Sequence, residues 1–331
     1  MRKTAALTAL IALATAMVGC SSSDGPVVDD GKAATGKKEL TVAISNLGLS
    51  FPFPAAIGAG IKDEAAKLGV KVTELDAQGK ADKQGNDIQD IIGQRPDGVL
   101  MLPVDSGVAS GLVDKLGAAN IPVVAVASQV GDPAKRKLTD VYPGLVALVT
   151  QDEPAAGKQA GEIATQVLPK GGPMAVVEGA AGFAEVQLRF EQFMDVPKEK
   201  NITFEVVARQ PGDWVQDKAR SACQNMLAAH TGVKLFYAQS DDMSVGCAKA
   251  VKSARSEAKV IGIGGSKLGI EAVRDGSVAG TVCFKPEDLG RLAMRTLYEH
   301  LTGAKPHKAE FVSYETPAIT KANLDQCTPQ W

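Results

Sequence analysis

Aromatic residues are scarce, at 5% of 331 residues with two tryptophans and four tyrosines. Glycine is abundant, at 34 residues, and so is alanine, a profile that suits close packing of helices on sheets and counts against a strand-rich sandwich. An all-β fold is therefore disfavoured. No charge dominates, since 36 Lys and Arg stand against 38 Asp and Glu, which counts against a basic nucleic-acid binder and an acidic disordered chain. Beyond the amino terminus no apolar run approaches the ~20 residues that cross a bilayer. Only three histidines occur, His230, His300 and His307. None forms an H-E-x-x-H pair or lies near a cysteine at zinc spacing, so a metal site has no support. The stretch Gly262-Ile263-Gly264-Gly265-Ser266-Lys267 lacks the Gly-Lys-Ser/Thr order of a phosphate loop and the last glycine of G-x-G-x-x-G. There is no G-x-S-x-G elbow either. Neither a cofactor nor nucleophilic hydrolysis has a local signature.

What is present begins with a targeting segment. Arg2 and Lys3 precede an apolar run, Ala5–Val18, whose 14 residues suit the core of an export signal and are too few to span a membrane. Met17-Val18-Gly19-Cys20, followed by Ser21-Ser22-Ser23-Asp24, resembles the bacterial lipobox, which implies cleavage after residue 19 and a lipid on Cys20. Residues 20–39 then read as a flexible tether, and the folded part is expected outside the cytoplasm from about Leu40.

From there, ten short apolar runs, from Leu40–Ser45 to Val278–Phe284, alternate with stretches of helical period. Ile57, Ile61, Ala65 and Leu68 recur at helical spacing ahead of Gly69, and Pro286 with Glu287 and Asp288 marks a helix start that Gly303 closes. Strands alternating with helices predict an α/β protein with parallel sheets covered on both faces. Ten units are too many for one compact open sheet, so two doubly wound, Rossmann-like lobes are expected, with an eight-stranded βα barrel as the rival.

Several segments point to a family. They are Pro52-Phe53, Arg95-Pro96-Asp97-Gly98-Val99, Ala119-Asn120-Ile121-Pro122-Val123-Val124, Gly179-Ala180-Ala181-Gly182 with Arg189, Gln210-Pro211-Gly212-Asp213-Trp214, and Ala238-Gln239-Ser240-Asp241-Asp242-Met243-Ser244-Val245-Gly246. In that order they resemble the type I periplasmic solute-binding proteins of the ribose and galactose group, relatives of LacI-type effector domains. The likeness to a DNA-binding repressor stops at the effector domain, because an export signal and no helix-turn-helix precedes it, so no nucleic acid is expected. The resemblance implies a type I periplasmic-binding-protein fold, with two lobes joined by a three-crossing hinge and the ligand in the cleft between them. Lobe one would comprise 40–150 plus 285–313, and lobe two 151–284 plus 314–331. It further implies a monomeric, lipid-anchored receptor without catalysis, handing a small molecule to the permease and ATPase subunits of an ABC-type importer. The rivals are a receptor that presents ligand to a membrane sensor, and a secreted enzyme on the same scaffold, which would need an ionisable pair of perturbed pKa in the cleft.

In sugar-binding members of the group, aromatic faces sandwich the ring while Asp, Asn, Arg and Gln satisfy hydroxyls that both donate and accept. Phe53, Trp214 and Arg189 match such positions. Elsewhere the chain departs from the pattern: Phe51 replaces an Asn, Pro54 a second Phe, Ala127-Ser128 an Asp-Arg pair, Ser240 an Asn, Gly264 an Asp and Phe284 a Gln. The expected binding set is Phe51, Phe53, Ser128, Arg189, Trp214, Ser240, Gly264 and Phe284. Hydroxyls left unpaired would cost ~1–3 kcal/mol each, so the ligand should be less hydroxylated than a hexose. It should also bring an anionic or acceptor partner, a carboxylate or paired hydroxyls, for Arg189 unless Asp213, Glu185 or Asp241 does. The bland alternative for the aromatic positions is core packing.

Four cysteines remain besides Cys20: Cys223, Cys247, Cys283 and Cys327. An even number in an exported chain suits disulfides, in any of three connectivities. Cys223–Cys247 is favoured because each lies on the apolar stripe of consecutive helices, one with Ala219 and Met226, the other with Met243 and Ala250. Cys283 and Cys327 would then pair.

Overall fold

The computed structural model describes residues 39–331, so the export signal, Cys20 and nearly all of the tether lie outside the described residues. Strands β1 (Thr41–Asn46), β2 (Lys71–Asp76), β3 (Gly98–Met101), β4 (Val123–Val126) and β5 (Ala147–Val149) join β11 (Glu310–Val312) in one six-stranded parallel sheet, ordered β11-β5-β4-β3-β1-β2. β3 and β4 are buried at every position, as expected of central parallel strands with both faces covered. Helices α1 (Pro52–Leu68) and α9 (Pro286–Thr302) cover one face, packing Ile57, Ile61, Leu289 and Leu297 on Ile44 and Leu100. On the other face α2 (Ala81–Gln94) and α3 (Ser106–Ala118) bury Ile88, Ile91, Leu112 and Leu116 against Val99 and Met101. α1 opens on Pro52, which needs no partner for an N–H it lacks, and closes at Gly69 in left-handed backbone, φ 69°. The abundant glycine has a steric use here. A Cβ on Gly60 would lie 2.0 Å from the Glu287 carbonyl oxygen, so α1 and α9 meet backbone to backbone.

The second lobe is built on β6 (Gly172–Glu178), β7 (Phe204–Pro211), β8 (Leu235–Ala238) and β9 (Lys259–Ile261), a parallel sheet ordered β7-β6-β8-β9. Single parallel bridges, Ile261 with Gly280 and Gly264 with Cys283, carry it on to β10 (Thr281–Val282), which pairs antiparallel with β12 (Ala318–Ile319). Helices α4 (Glu153–Val167) and α5 (Ala184–Glu199) lie on one face, with Ala160, Ile163 and Phe193 against Val176 and Tyr237. α6 (Gln216–Ala229), α7 (Asp241–Ser253) and α8 (Lys267–Asp275) cover the other face, around Val177, Phe236 and Met243. The chain passes between the lobes after β5, β10 and β11. Cys223 on α6 is bonded to Cys247 on α7, and Cys283 to Cys327, with Cα separations of 5.3 and 5.8 Å, the two pairings favoured from the sequence.

Two strands escape sequence reading. β11 and β12 have three and two residues, too few for any period to show. The run Val278–Phe284 likewise contracts to the two-residue β10, because Gly280 and Cys283 on either side make only single bridges. Among the described residues no helix is long and apolar enough to cross a membrane, and no cluster of His, Cys, Asp and Glu is arranged to hold a metal.

Candidate ligand cleft

The parallel strands of both lobes end at one crevice, where ligands sit in open α/β sheets. It encloses about 110 Å³ of water-accessible space, room for several waters or one small molecule. Lobe one contributes Phe51 and Phe53 at the turn into α1, and Ser128 beyond β4. From lobe two come Arg189 on α5, Trp214 beyond β7, Ser240 beyond β8, Gly264 beyond β9 and Phe284 beyond β10. All eight residues singled out in the sequence therefore face one cavity.

Local backbone explains two of these placements. Trp214 turns inward through left-handed backbone at Asp213 (φ 51°) and Trp214 itself (φ 63°). Its indole lies over Gly179, where a Cβ would come within 1.9 Å of the ring, so only glycine leaves it room. At Gly264 a Cβ would meet an Asp241 carboxylate oxygen at 2.8 Å. A side chain at 264 would therefore collide with Asp241 where it stands.

Arg189 is buried, 5% exposed, and so is Glu153 at 1%. The guanidinium forks onto that carboxylate: Nε donates to Oε2 at 2.5 Å and Nη2 to Oε1 at 2.9 Å, while Nη1 donates to the Gln239 carbonyl at 2.9 Å. Its face lies 5.1 Å from the Phe284 ring centre and 5.7 Å from that of Trp214, which the ring quadrupoles favour. The partner foreseen from ligand, Asp213, Glu185 or Asp241 is thus Glu153. The reason is geometric. α4 and α5 cross so closely that a Cβ on Gly157 would lie 2.4 Å from the Arg189 carbonyl oxygen, and Glu153 sits one turn before Gly157.

Other polar groups of the cleft are engaged as well. Ser128 Oγ donates to Glu185 Oε1 at 3.0 Å. Gln239 accepts from the Gly179 N–H at 3.1 Å and donates to the Val186 carbonyl at 2.7 Å. Asp241 accepts from Thr281 Oγ1 (2.6 Å), the Ser266 N–H (2.8 Å) and Ser266 Oγ (3.0 Å), which ties down the loop after β9. Gln151 donates to Glu153 Oε1 at 2.5 Å, but its own Oε1 is buried without a partner. Burial, reinforced by the charge of Glu153 and opposed by Arg189, pushes the Glu185 carboxyl up to about 7. Burial also raises Asp241 to about 6 against its three donors, and raises Asp242. Side chains of the lining that keep unused polar atoms are Gln151, whose Oε1 is buried, and the Glu185 and Asp242 carboxyls, beside two of Arg189's five N–H groups.

Six aromatic rings line the space: Phe51, Phe53, Phe183, Trp214, Phe284 and Trp331. Phe53 stands 6.0 Å from Phe284 and edge-on to Trp331 at 5.4 Å, and Phe183 meets Trp214 edge-on at 5.8 Å. Sequence reading missed Gln151, Glu153, Phe183 and Trp331. For Glu153 a signal existed, because Asp152-Glu153-Pro154 directly after β5 has the form of a helix start. For Trp331 the signal was indirect, four residues beyond Cys327, whose partner Cys283 adjoins Phe284.

Comparison with known proteins gives concordant matches. A family model described as a periplasmic binding protein domain matches residues 42–305. The ribose import binding protein of Bacillus subtilis is 30% identical over 272 residues, 82% of this chain and 85% of that protein. A xylitol-binding protein of Mycolicibacterium smegmatis is 24% identical over 80% of this chain and 73% of its own length. Among solved structures, an ABC transporter solute-binding protein from Mycobacterium smegmatis with bound glycerol superposes with a TM-score of 0.78 at 29% identity, covering 87% of this chain and 96% of that one. The Caulobacter myo-inositol binding protein, bound to myo-inositol, also gives 0.78, at 26% identity, with coverages of 88% and 95%.

Proposed function

Because the chain belongs to the periplasmic binding protein domain family, a family of extracytoplasmic solute receptors, we propose that it serves an ABC-type importer as a monomeric receptor anchored by a lipid on Cys20, and that its ligand is a small neutral molecule with few hydroxyls. The transport role is supported by the ribose import protein and by the solute-binding protein with glycerol described above. Lobe closure around the ligand would create the form that permease and ATPase subunits recognise.

One observation carries the ligand chemistry. Arg189, the one cationic side chain lining the cavity among the described residues, is neutralised from within by Glu153. A ligand anion is not needed there, and the carboxylates of Glu153 and Asp242 would repel it. Aromatic faces supply the apolar contact, and one or two ligand donors would satisfy Gln151 Oε1 and the remaining carboxyl oxygens. The raised Glu185 carboxyl is accounted for by burial beside Glu153. The family matched and the ribose import protein are binding proteins, which supports a receptor rather than a catalyst. The test is a thermal-shift screen followed by calorimetry, since a ligand at 100 times its Kd stabilises by about 2.7 kcal/mol. The panel holds ribose, glucose and xylose, deoxy sugars and short polyols, and small carboxylic acids. A neutral, sparsely hydroxylated compound should bind tightest. Tight binding of a simple aldose or of an acid would overturn the ligand chemistry and leave the transport role standing.

A further inference from the structure

Beyond β12 the chain turns through a short 3-10 helix, Leu324–Gln326, and returns to the cleft. Lobe two holds this segment twice. Cys327 is bonded to Cys283, the residue before cleft-lining Phe284, and the Lys267 N–H at the start of α8 donates to the Trp331 carbonyl at 2.9 Å. Lobe one meets it twice as well. Gln330 Oε1 accepts from the backbone N–H groups of Glu287 at 2.9 Å and Asp288 at 3.2 Å, in the first turn of α9, whose own N-cap residue Lys285 offers no side-chain cap. The Trp331 ring stands edge-on to Phe53 of α1 and lines the cavity.

Resting on the reading of the cleft as a ligand site, we infer that Trp331 is a specificity-determining wall of that site, and that Gln330–Trp331 bridges lobe two to lobe one, positioned by the Cys283–Cys327 disulfide. The two attachments to lobe two are a covalent bond and a backbone hydrogen bond, whereas those to lobe one are a side-chain cap and a ring contact. When the lobes part, the weaker pair is released. The α9 N–H groups pass to water, and the space beside Phe53 opens to bulkier ligands. The disulfide thus sets the size of the site from behind it, through the ring it holds in place.

The chain has two tryptophans, Trp214 and Trp331, so a Trp214→Phe variant reports Trp331 alone. Acrylamide quenching of this ligand-free variant reads how well the ring is shielded. Adding Cys283→Ala and Cys327→Ala should raise the quenching constant by about twofold or more and red-shift the emission, as local release of a packed segment does. Gln330→Ala keeps the disulfide, should raise quenching by less, and decides the matter if the cysteine variant does not fold. Unchanged quenching overturns the bridge. For the wall, Trp331→Ala and Trp331→Phe are titrated by calorimetry with glycerol, xylitol and ribose. The probe that binds the unsubstituted protein should lose about tenfold or more in affinity, 1.4 kcal/mol, in Trp331→Ala and recover most of it in Trp331→Phe. Affinity within about twofold of the unsubstituted protein overturns the wall. If no probe binds the unsubstituted protein, the wall falls with the ligand reading, while quenching still decides the bridge.

Discussion

Glu153→Gln keeps the size of the side chain and removes the charge that Arg189 is forked onto. Both groups are nearly inaccessible to water, and their contacts are 2.5 and 2.9 Å. With charge centres ~4 Å apart and an effective dielectric near 20, their attraction is ~4 kcal/mol. Loss of one partner of a buried ion pair costs about 3–5 kcal/mol, because the other charge is left stranded. Against a total stability of ~5–15 kcal/mol the variant should lose a large part of its margin. Urea unfolding of ligand-free protein measures this, with Glu153→Leu/Arg189→Met as the control. The double variant strands no charge, so most of the loss should return. A loss below about 1 kcal/mol in Glu153→Gln, accompanied by unchanged or lower affinity for small carboxylic acids, would refute the reasoning. It would mean that the Glu153 charge is not what neutralises the guanidinium.

The Glu185 carboxyl is raised to about 7 in the folded chain by burial and by Glu153, so the native state keeps a proton that the unfolded chain releases near pH 4.3. Its contribution to stability is full below that pH and is lost as pH rises toward 7; relative to the unsubstituted protein, Glu185→Gln should therefore gain stability between pH 5 and pH 8, and parallel urea curves would rule this out. For the disulfides, sequence separations of 24 and 44 give at most ~3.5 and ~4 kcal/mol of loop-closure stabilisation; unreduced, denatured mature protein should show no alkylatable thiol among the four cysteines by mass spectrometry. Cys20→Ser should move the protein out of the membrane fraction, and retention there at the unsubstituted level would sink the lipid anchor.

Much of the fold was legible because it rests on local pattern. Val123–Val126 is apolar throughout, buried at every position, and lies where the sequence put a strand. Gly69 and Gly303 close their helices in left-handed backbone, at φ 69° and 72°. The lining of the cleft was legible too, through resemblance, because strand ends position side chains in family order. Whether a lining side chain is already engaged was not legible, since that depends on how helices cross. Arg189 and Glu153 are 36 positions apart, and nothing in either local sequence states that α4 and α5 meet at Gly157. The same holds for Gly264, where the sequence does not show that Asp241 stands 2.8 Å from the place a side chain would take. A cleft's polarity cannot be summed from the residue types that face it, because a charge satisfied from behind drops out of recognition and a buried oxygen without a partner enters it. Here Arg189 drops out and Gln151 enters. That exchange turns the expected ligand from one that supplies an anionic or acceptor partner for Arg189 into one that donates hydrogen bonds and fills space between rings.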